Sequence, residues 1–330
     1  MIYDCFSFFN ELDLLEIRLT TLDKVVNKFV LVESHYTHTG QPKPLYYAEN
    51  INRFSKFNEK IIHIIADDFP DIPGATYREM AWIRENWQRN AILRGLPKNV
   101  KDNDYLIIAD LDEIPRPDAI LDAVNYDGVS HLYLSMFYYF VNCKDYSNPI
   151  WMRGPQVLPF KTFHNSPPPP ERLIFPIDWR ANKGMTPSVI RFLKPTHIIK
   201  HAGWHFSFCG GSDSIKHKLS AVAPHSDSEA LRNKTIDKNA ITSTVLDGKD
   251  IYGRNYYRYF AVALDNSFPV ALLRNQKKFR NLIYPTTFIY KVNTFFPRIM
   301  AHAYSPTIAI LRLILPRKLK DFLYIRFFGA

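Results

Sequence analysis

Cysteine is scarce. Cys5, Cys143 and Cys209 are the only three in 330 residues. They show no metal-ligand spacing and leave an odd thiol over, which excludes a simple disulfide framework and points to a reducing compartment. Cys5 lies in an apolar run and reads as a small buried hydrophobe. No uninterrupted apolar run reaches the roughly 18 residues of a membrane span. The sequence starts directly on a strand-like segment, without the basic, apolar and small-residue regions of a secretory leader, so a cytoplasmic location is expected. There is no internal repeat, and no nucleic-acid motif accompanies the positive charge, so nucleic acid is excluded as a partner.

What is present is a large apolar fraction, 46% of residues, with 15% aromatic. A chain this apolar can offset its ordering entropy, so global disorder is excluded. The net charge of +10 is uneven. Residues 286–330 carry Lys291, Arg298, Arg312, Arg317, Lys318, Lys320 and Arg326 against Asp321 alone. The excess is mainly a property of this tail.

The first half alternates strand and helix signals. Strands are predicted over 2–9, 28–33, 60–66 and 104–109, where short runs are apolar and rich in aromatic or β-branched residues. Leu12, Leu15, Leu19 and Leu22 recur at helical spacing between the first two, and a helix is predicted over 77–94. Pro115 and Pro117 precede another helix starting near Asp118. This repetition predicts an α/β fold whose mostly parallel, Rossmann-like sheet is flanked by helices. The second half is less regular. It holds strand-like stretches at 130–143 and 196–209, a stiff proline run at 167–170 and a helix at 213–222. The expected organisation is one domain over 1–285, split into a regular first half (1–128) and a less regular second half (129–285). A helical basic tail over 286–330 follows.

The segment "LIIADLDEIPRPD" ends a predicted buried strand in Asp110, Asp112 and Glu113. In open α/β sheets ligands bind at such strand ends. Alternation puts Asp110 and Asp112 on one side of the extended chain, where two close carboxylates need a cation between them. Their hard oxygens suit Mg²⁺ or Mn²⁺ carrying substrate phosphates. Two other readings stand beside this one. The acids could form a turn rich in helix caps, with Asp118 capping the next helix. A haloacid-dehalogenase-like phosphatase also uses Asp-x-Asp, but there it normally lies in the first strand and continues to Thr or Val.

Five motifs together resemble glycosyltransferase family 17: "FNELDLLEIRL" (9–19), "VESHYTHTGQPKPL" (32–45), "RENWQRN" (84–90), "DLDEIP" (110–115) and "AGWHFS" (202–207). A weaker echo is "LDNSFPVALLRNQKKF" (264–279). The resemblance covers residues 1 to about 284 and leaves the tail without a counterpart. It implies a GT-A architecture, a UDP-N-acetylglucosamine donor, a divalent metal and transfer with inversion to a glycan or glycolipid. The metal-binding role falls on Asp110 and Asp112.

Within that resemblance, Asp213 is the candidate base. "GGSD" (210–213) looks similar to the Gly-Gly-Glu-Asp stretch that supplies the base in other inverting enzymes, with Ser212 replacing one acid. Asp213 could equally just favour the positive end of a helix, and Glu171 and Asp178 are alternatives. His225 or His205 would complete the metal shell, each open to a purely structural role. Asn10, Glu11 and Glu33 are the polar residues at the first strand ends, where donor base and ribose should lie. Lys43 and Arg84 are the diphosphate partners. For Arg84 and Arg89 an exposed helix face is the competing reading. Trp204, Trp179 and Tyr138 are offered for sugar stacking, against core packing. Apolar faces beside Lys and Arg make the tail a candidate for contact with an anionic inner membrane surface, or else a docked helix pair. From another class, a non-catalytic sugar-binding or membrane-scaffolding protein would have no need of the Asp110/Asp112 cradle.

Overall fold

The computed structural model describes residues 1–165, 186–191, 193–222, 238–254 and 257–284. The chain divides into two compact units, Met1–Tyr284 and Pro285–Ala330. The second unit, the proline run at 167–170 and the candidates Glu171, Asp178, Trp179 and His225 lie outside the described residues.

Four parallel strands form the centre of the first unit: β1 (Ile2–Ser7), β2 (Lys28–Glu33), β3 (Ile61–Ile65) and β4 (Tyr105–Asp110). Cys5, Phe6, Val30, Leu31 and Leu106–Ala109 are fully buried. A strand covered on both faces can be apolar at every position, which is why these read as continuous runs. The helix α1 (Leu12–Leu22) crosses from β1 to β2 and buries Leu14, Leu15, Ile17, Leu19 and Leu22. Each such fully buried side chain contributes about 1.5–3 kcal/mol. A four-residue helix, α2 (Tyr46–Glu49), follows β2. Next, α3 (Tyr77–Asn90) starts at a capping box in which Thr76 and Glu79 satisfy each other's backbone N–H. Its inner face buries the polar residues Asn86, Gln88 and Arg89, so Arg89 does not lie on an exposed helix face.

The seven-stranded sheet has the order β11-β6-β10-β4-β1-β2-β3, with β6 (Ser130–Leu132), β10 (Gln156–Pro159) and β11 (His197–Ile199). β10 runs antiparallel to both β4 and β6, so the sheet is mixed beyond its parallel block. The order reverses at β1, which has β2 on one side and β4 on the other. The carboxyl ends of β1 and β4 therefore flank the crevice where such sheets take ligands.

A second, mostly antiparallel sheet has the order β13-β8-β7-β12-β5. Its strands are β5 (Glu113–Pro115), β7 (Leu134–Tyr138), β8 (Cys143–Asp145), β12 (Gly203–Ser207) and β13 (Tyr259–Ala261), with β9 (Ile150–Trp151) paired to β7. The acidic turn is where the chain leaves one sheet and enters the other: Asp110 ends β4 and Glu113 begins β5. α4 (Pro117–Ala123) follows with Pro117 at its first position. Arg116 is the N-cap residue, and Asp118 sits in the first turn as its ion-pair partner at 3.1 Å, so Asp118 is not the cap. The remaining longer helices are α5 (Gly211–Ala221), α6 (Lys238–Leu246) and α7 (Val270–Arg274). Among the described residues no helix is long and apolar enough to cross a membrane. All three cysteines are free and buried.

Candidate functional site

The acidic turn is held from behind by Arg18. On α1 this residue continues the apolar stripe of Leu14 and Leu22, and it is fully buried. Its Nη1 donates to the carbonyl oxygens of Asp110, Leu111 and Glu113 at 3.0, 3.1 and 2.7 Å. The other side of the guanidinium pairs with buried Asp4. Orphan carbonyls of a sharp turn need donors, and one guanidinium supplies them together. Glu113 locks the turn from the other side. Its Oε2 accepts the Asp110 backbone N–H at 3.0 Å, and its Oε1 accepts from Trp151 and Arg191, both at 2.7 Å.

In front of the turn lies a cleft of about 260 Å³. Asp110 and Asp112 both line it, but they do not share one cation. Asp110 pairs with Arg89 at 2.7 Å and Arg191 at 3.0 Å. Burial would push its carboxyl up, yet the Arg191 and Arg89 guanidiniums outweigh this and hold it below the ordinary carboxylate range. Asp112 pairs with Lys218 of α5 at 2.7 Å, with His205 Nε2 at 3.5 Å. There too burial is outweighed, by Lys218 and then His205, and the carboxyl is held low. Lys218 also reaches Glu11 Oε1 at 3.0 Å. Burial alone would lower the ammonium's affinity for its proton, but Asp112 and Glu11 raise it above the ordinary lysine range.

Aromatic residues form the apolar walls, with Phe9, Trp151, Phe208 and Tyr252 on the lining. Lys43 lines the cleft near Phe9 and Tyr46, its Nζ 5.8 and 5.3 Å from their ring centroids. His38, Glu85 and Gln88 complete the side nearest α3. His38 Nε2 meets Gln88 Oε1 at 3.1 Å, and burial lowers the imidazole's pKa, partly countered by Glu85. Fixed cations, carboxylates and aromatic faces in one concave site suit an anionic ligand with a planar ring.

No three or more His, Cys, Asp or Glu side chains among the described residues converge as a metal cage. A magnesium-type site needs less than that, because one or two carboxylates plus substrate phosphates suffice. The Lys218 ammonium acts as a stand-in ion: oxygens of Asp112 and Glu11, from different parts of the chain, converge on it. Asp112 and Glu11 are the residues that would hold a divalent cation here. Asp110 is turned to its two arginines.

Other sequence-derived candidates fall elsewhere. Glu33 is fully buried, accepts the Tyr47 backbone N–H at 3.0 Å and faces Lys43 and His63, so it is no ribose ligand on the cleft wall. Asn10 is off the lining and contacts His217 at 3.2 Å. Arg84 is also off the lining. It donates to the His38 carbonyl at 3.2 Å and lies against Gly40, where an added Cβ would sit 3.0 Å from its Cζ. Asp213 lies in the first turn of α5, 76% exposed and paired with Lys238, and is not brought to the cleft. Trp204 and Tyr138 are core residues. Trp204 donates to the Ser267 carbonyl, and Tyr138 packs among Tyr139, Phe208 and Tyr259. His205 does line the cleft, its ring centroid 4.6 Å from that of Trp151.

Arg191, Lys218 and Trp151, absent from the sequence-derived candidates, come from distant parts of the chain and carry no local signal. Arg18 did have one, a lone charge on an apolar helix stripe.

Residues 1–151, which supply the parallel strands and the acidic turn, match the model of glycosyltransferase family 17. The resemblance seen in the motifs is borne out over that segment. More particularly, the chain is similar to curated proteins named beta-1,4-mannosyl-glycoprotein 4-beta-N-acetylglucosaminyltransferase. The Homo sapiens and Rattus norvegicus proteins are each 36% identical over 124 residues, and the Mus musculus protein 35%. The match covers 36% of this chain and 22% of each relative's length.

Proposed function

We propose that this chain is a glycosyltransferase that moves N-acetylglucosamine from UDP-N-acetylglucosamine to a hydroxyl of a glycan or glycolipid, with inversion. The observation that supports this most is the Asp110–Asp112 turn at the mouth of β4, next to β1 where the strand order reverses and a cleft opens. The names of the relatives support the choice of donor sugar. In this reading Phe9 and Trp151 lie against the flat parts of the donor. Lys43, Arg89 and Lys218 face its diphosphate. Asp112 and Glu11 would hold Mn²⁺ or Mg²⁺, which when bound supplies positive charge for the leaving diphosphate. The buried Arg18 and Glu113 keep the turn rigid, so donor binding need not also order it. The chain is further proposed to work in the cytoplasm, with residues 286–330 resting on an anionic membrane surface.

The test is a calorimetric screen of UDP-N-acetylglucosamine, UDP-glucose and GDP-mannose against the full chain, with and without Mn²⁺. UDP-N-acetylglucosamine is expected to bind most tightly and to need the metal. Asp112→Ala should lose that binding while keeping its thermal transition. Equal affinity in the variant would place the site elsewhere. Sedimentation with anionic against neutral vesicles tests the tail, and equal pelleting with both would remove the electrostatic membrane contact.

A further inference from the structure

Resting on that reading of the cleft, we infer that Lys218 is a resident counter-cation that keeps the metal position closed until a nucleotide diphosphate arrives. Metal and nucleotide then bind only as mutually dependent ligands. Lys218 Nζ sits 2.7 Å from Asp112 Oδ2 and 3.0 Å from Glu11 Oε1, and its side chain is 18% exposed. A divalent ion ligated by either carboxylate would stand beside the ammonium, and like charges at that range repel strongly in a partly dry site. The metal therefore needs the lysine to leave first. Asp110 offers no free alternative, since Arg89 and Arg191 hold both its oxygens.

The lysine is held there by the docking of α5. Thr39 Oγ1 donates to the Ser220 carbonyl at 2.9 Å, and the Thr39 N–H reaches the Ala221 carbonyl at 3.3 Å. His217, one residue before Lys218, meets Asn10 at 3.2 Å and packs edge-on against Phe9 with ring centroids 5.1 Å apart. These contacts fix the Lys218 backbone over the cleft and leave its four-carbon stem to choose between acceptors. A diphosphate entering the cleft brings further negative charge and offers the ammonium alternative acceptor oxygens. Once Lys218 turns to them, Asp112 and Glu11 are released to the metal. Linkage makes the effect reciprocal: UDP tightens Mn²⁺ by the factor with which Mn²⁺ tightens UDP.

The experiment is calorimetric titration of Mn²⁺ into the full chain, alone and with saturating UDP. It uses the wild type, Lys218→Gln, Lys218→Arg and Asp112→Asn. In the wild type UDP should tighten Mn²⁺ by about 10- to 100-fold. Lys218→Gln should bind Mn²⁺ alone about 10-fold more tightly than wild type, with the UDP effect reduced accordingly. Lys218→Arg, which keeps the charge, should retain the weak binding of Mn²⁺ alone. Should Lys218→Gln not fold, Lys218→Met keeps the apolar stem, removes only the charge and is expected to show the same gain. Mn²⁺ binding alone that is no tighter without the lysine overturns this inference, while loss of the UDP-dependent site in Asp112→Asn keeps the metal reading standing. UDP-dependent Mn²⁺ binding that survives Asp112→Asn overturns both.

Discussion

Arg18 and Asp4 form a bidentate ion pair with both side chains fully buried, Nε to Oδ2 at 2.8 Å and Nη2 to Oδ1 at 2.6 Å. Because the same guanidinium carries the carbonyls of the acidic turn, the pair couples the β1 core to the cleft. Arg18→Met leaves Asp4 as an uncompensated buried charge and should lower stability by about 3–5 kcal/mol in urea unfolding. Arg18→Lys should recover only part of this, because an ammonium cannot span the carboxylate and the turn together. A loss below about 1 kcal/mol in Arg18→Met would mean that the pair is not closed in solution.

Gly203 shows why "AGWHFS" begins as it does. Its φ is 155°, and an added Cβ would lie 2.2 Å from the Ile114 carbonyl oxygen and 2.7 Å from the Pro115 Cα. Those atoms belong to β5, which pairs with β12 beside the acidic turn. Gly203→Ala should destabilise by about 3 kcal/mol, as backbone rather than a flexible side chain must yield. It should also weaken donor binding, because β5 carries Glu113. Thermal unfolding and UDP titration check the two effects separately.

Two buried groups shift in opposite directions, Asp145 upward and His131 downward. Burial raises the Asp145 carboxyl to about 6, although backbone N–H groups of Asn148 and Ser147 oppose the rise. Its folded value exceeds the unfolded one, so its stability contribution is full below about pH 4 and lost as pH rises through about 6. Burial and then Arg191 lower His131 to about 4. Its contribution is present above about pH 6.5 and lost as pH falls towards 4. Each is worth about 3 kcal/mol at most, with opposite slopes between about pH 4 and 6. Asp145→Asn should therefore gain stability with rising pH over that window more steeply than wild type. Urea unfolding at several pH values tests this, and parallel curves for the two proteins would contradict it.

Asp213 is exposed and tied to Lys238 outside the cleft. Asp213→Asn should leave UDP-N-acetylglucosamine turnover within about two-fold of wild type, since a base must reach the hydroxyl it deprotonates. A loss of about 100-fold or more would return it to the role that its sequence setting suggests.

The parallel block was legible because its signals are local. Residues 28–33 coincide with β2, and the other three strands were located to within two residues at either end. Stretches that read as single strands were not single. Residues 196–209 divide into β11 and β12 in different sheets, with His201 at φ 53° between them. Residues 130–143 divide likewise, with Tyr139 at φ 69°. Such breaks are set by pairing with distant strands, which no local period records. The acids of the site were visible for the same reason as the first strands, since they end an apolar run. Their cations were not, because Arg191 and Lys218 reach Asp110 and Asp112 only through the tertiary fold.

Crystals grown with UDP and Mn²⁺ and measured at the manganese absorption edge would locate metal and nucleotide relative to the acidic turn. An anomalous peak is expected beside the Asp112 carboxylate, with the diphosphate on the Lys218 side of the cleft and the uracil against its aromatic wall. A manganese peak or a nucleotide seated away from the β1 and β4 strand ends would contradict that placement.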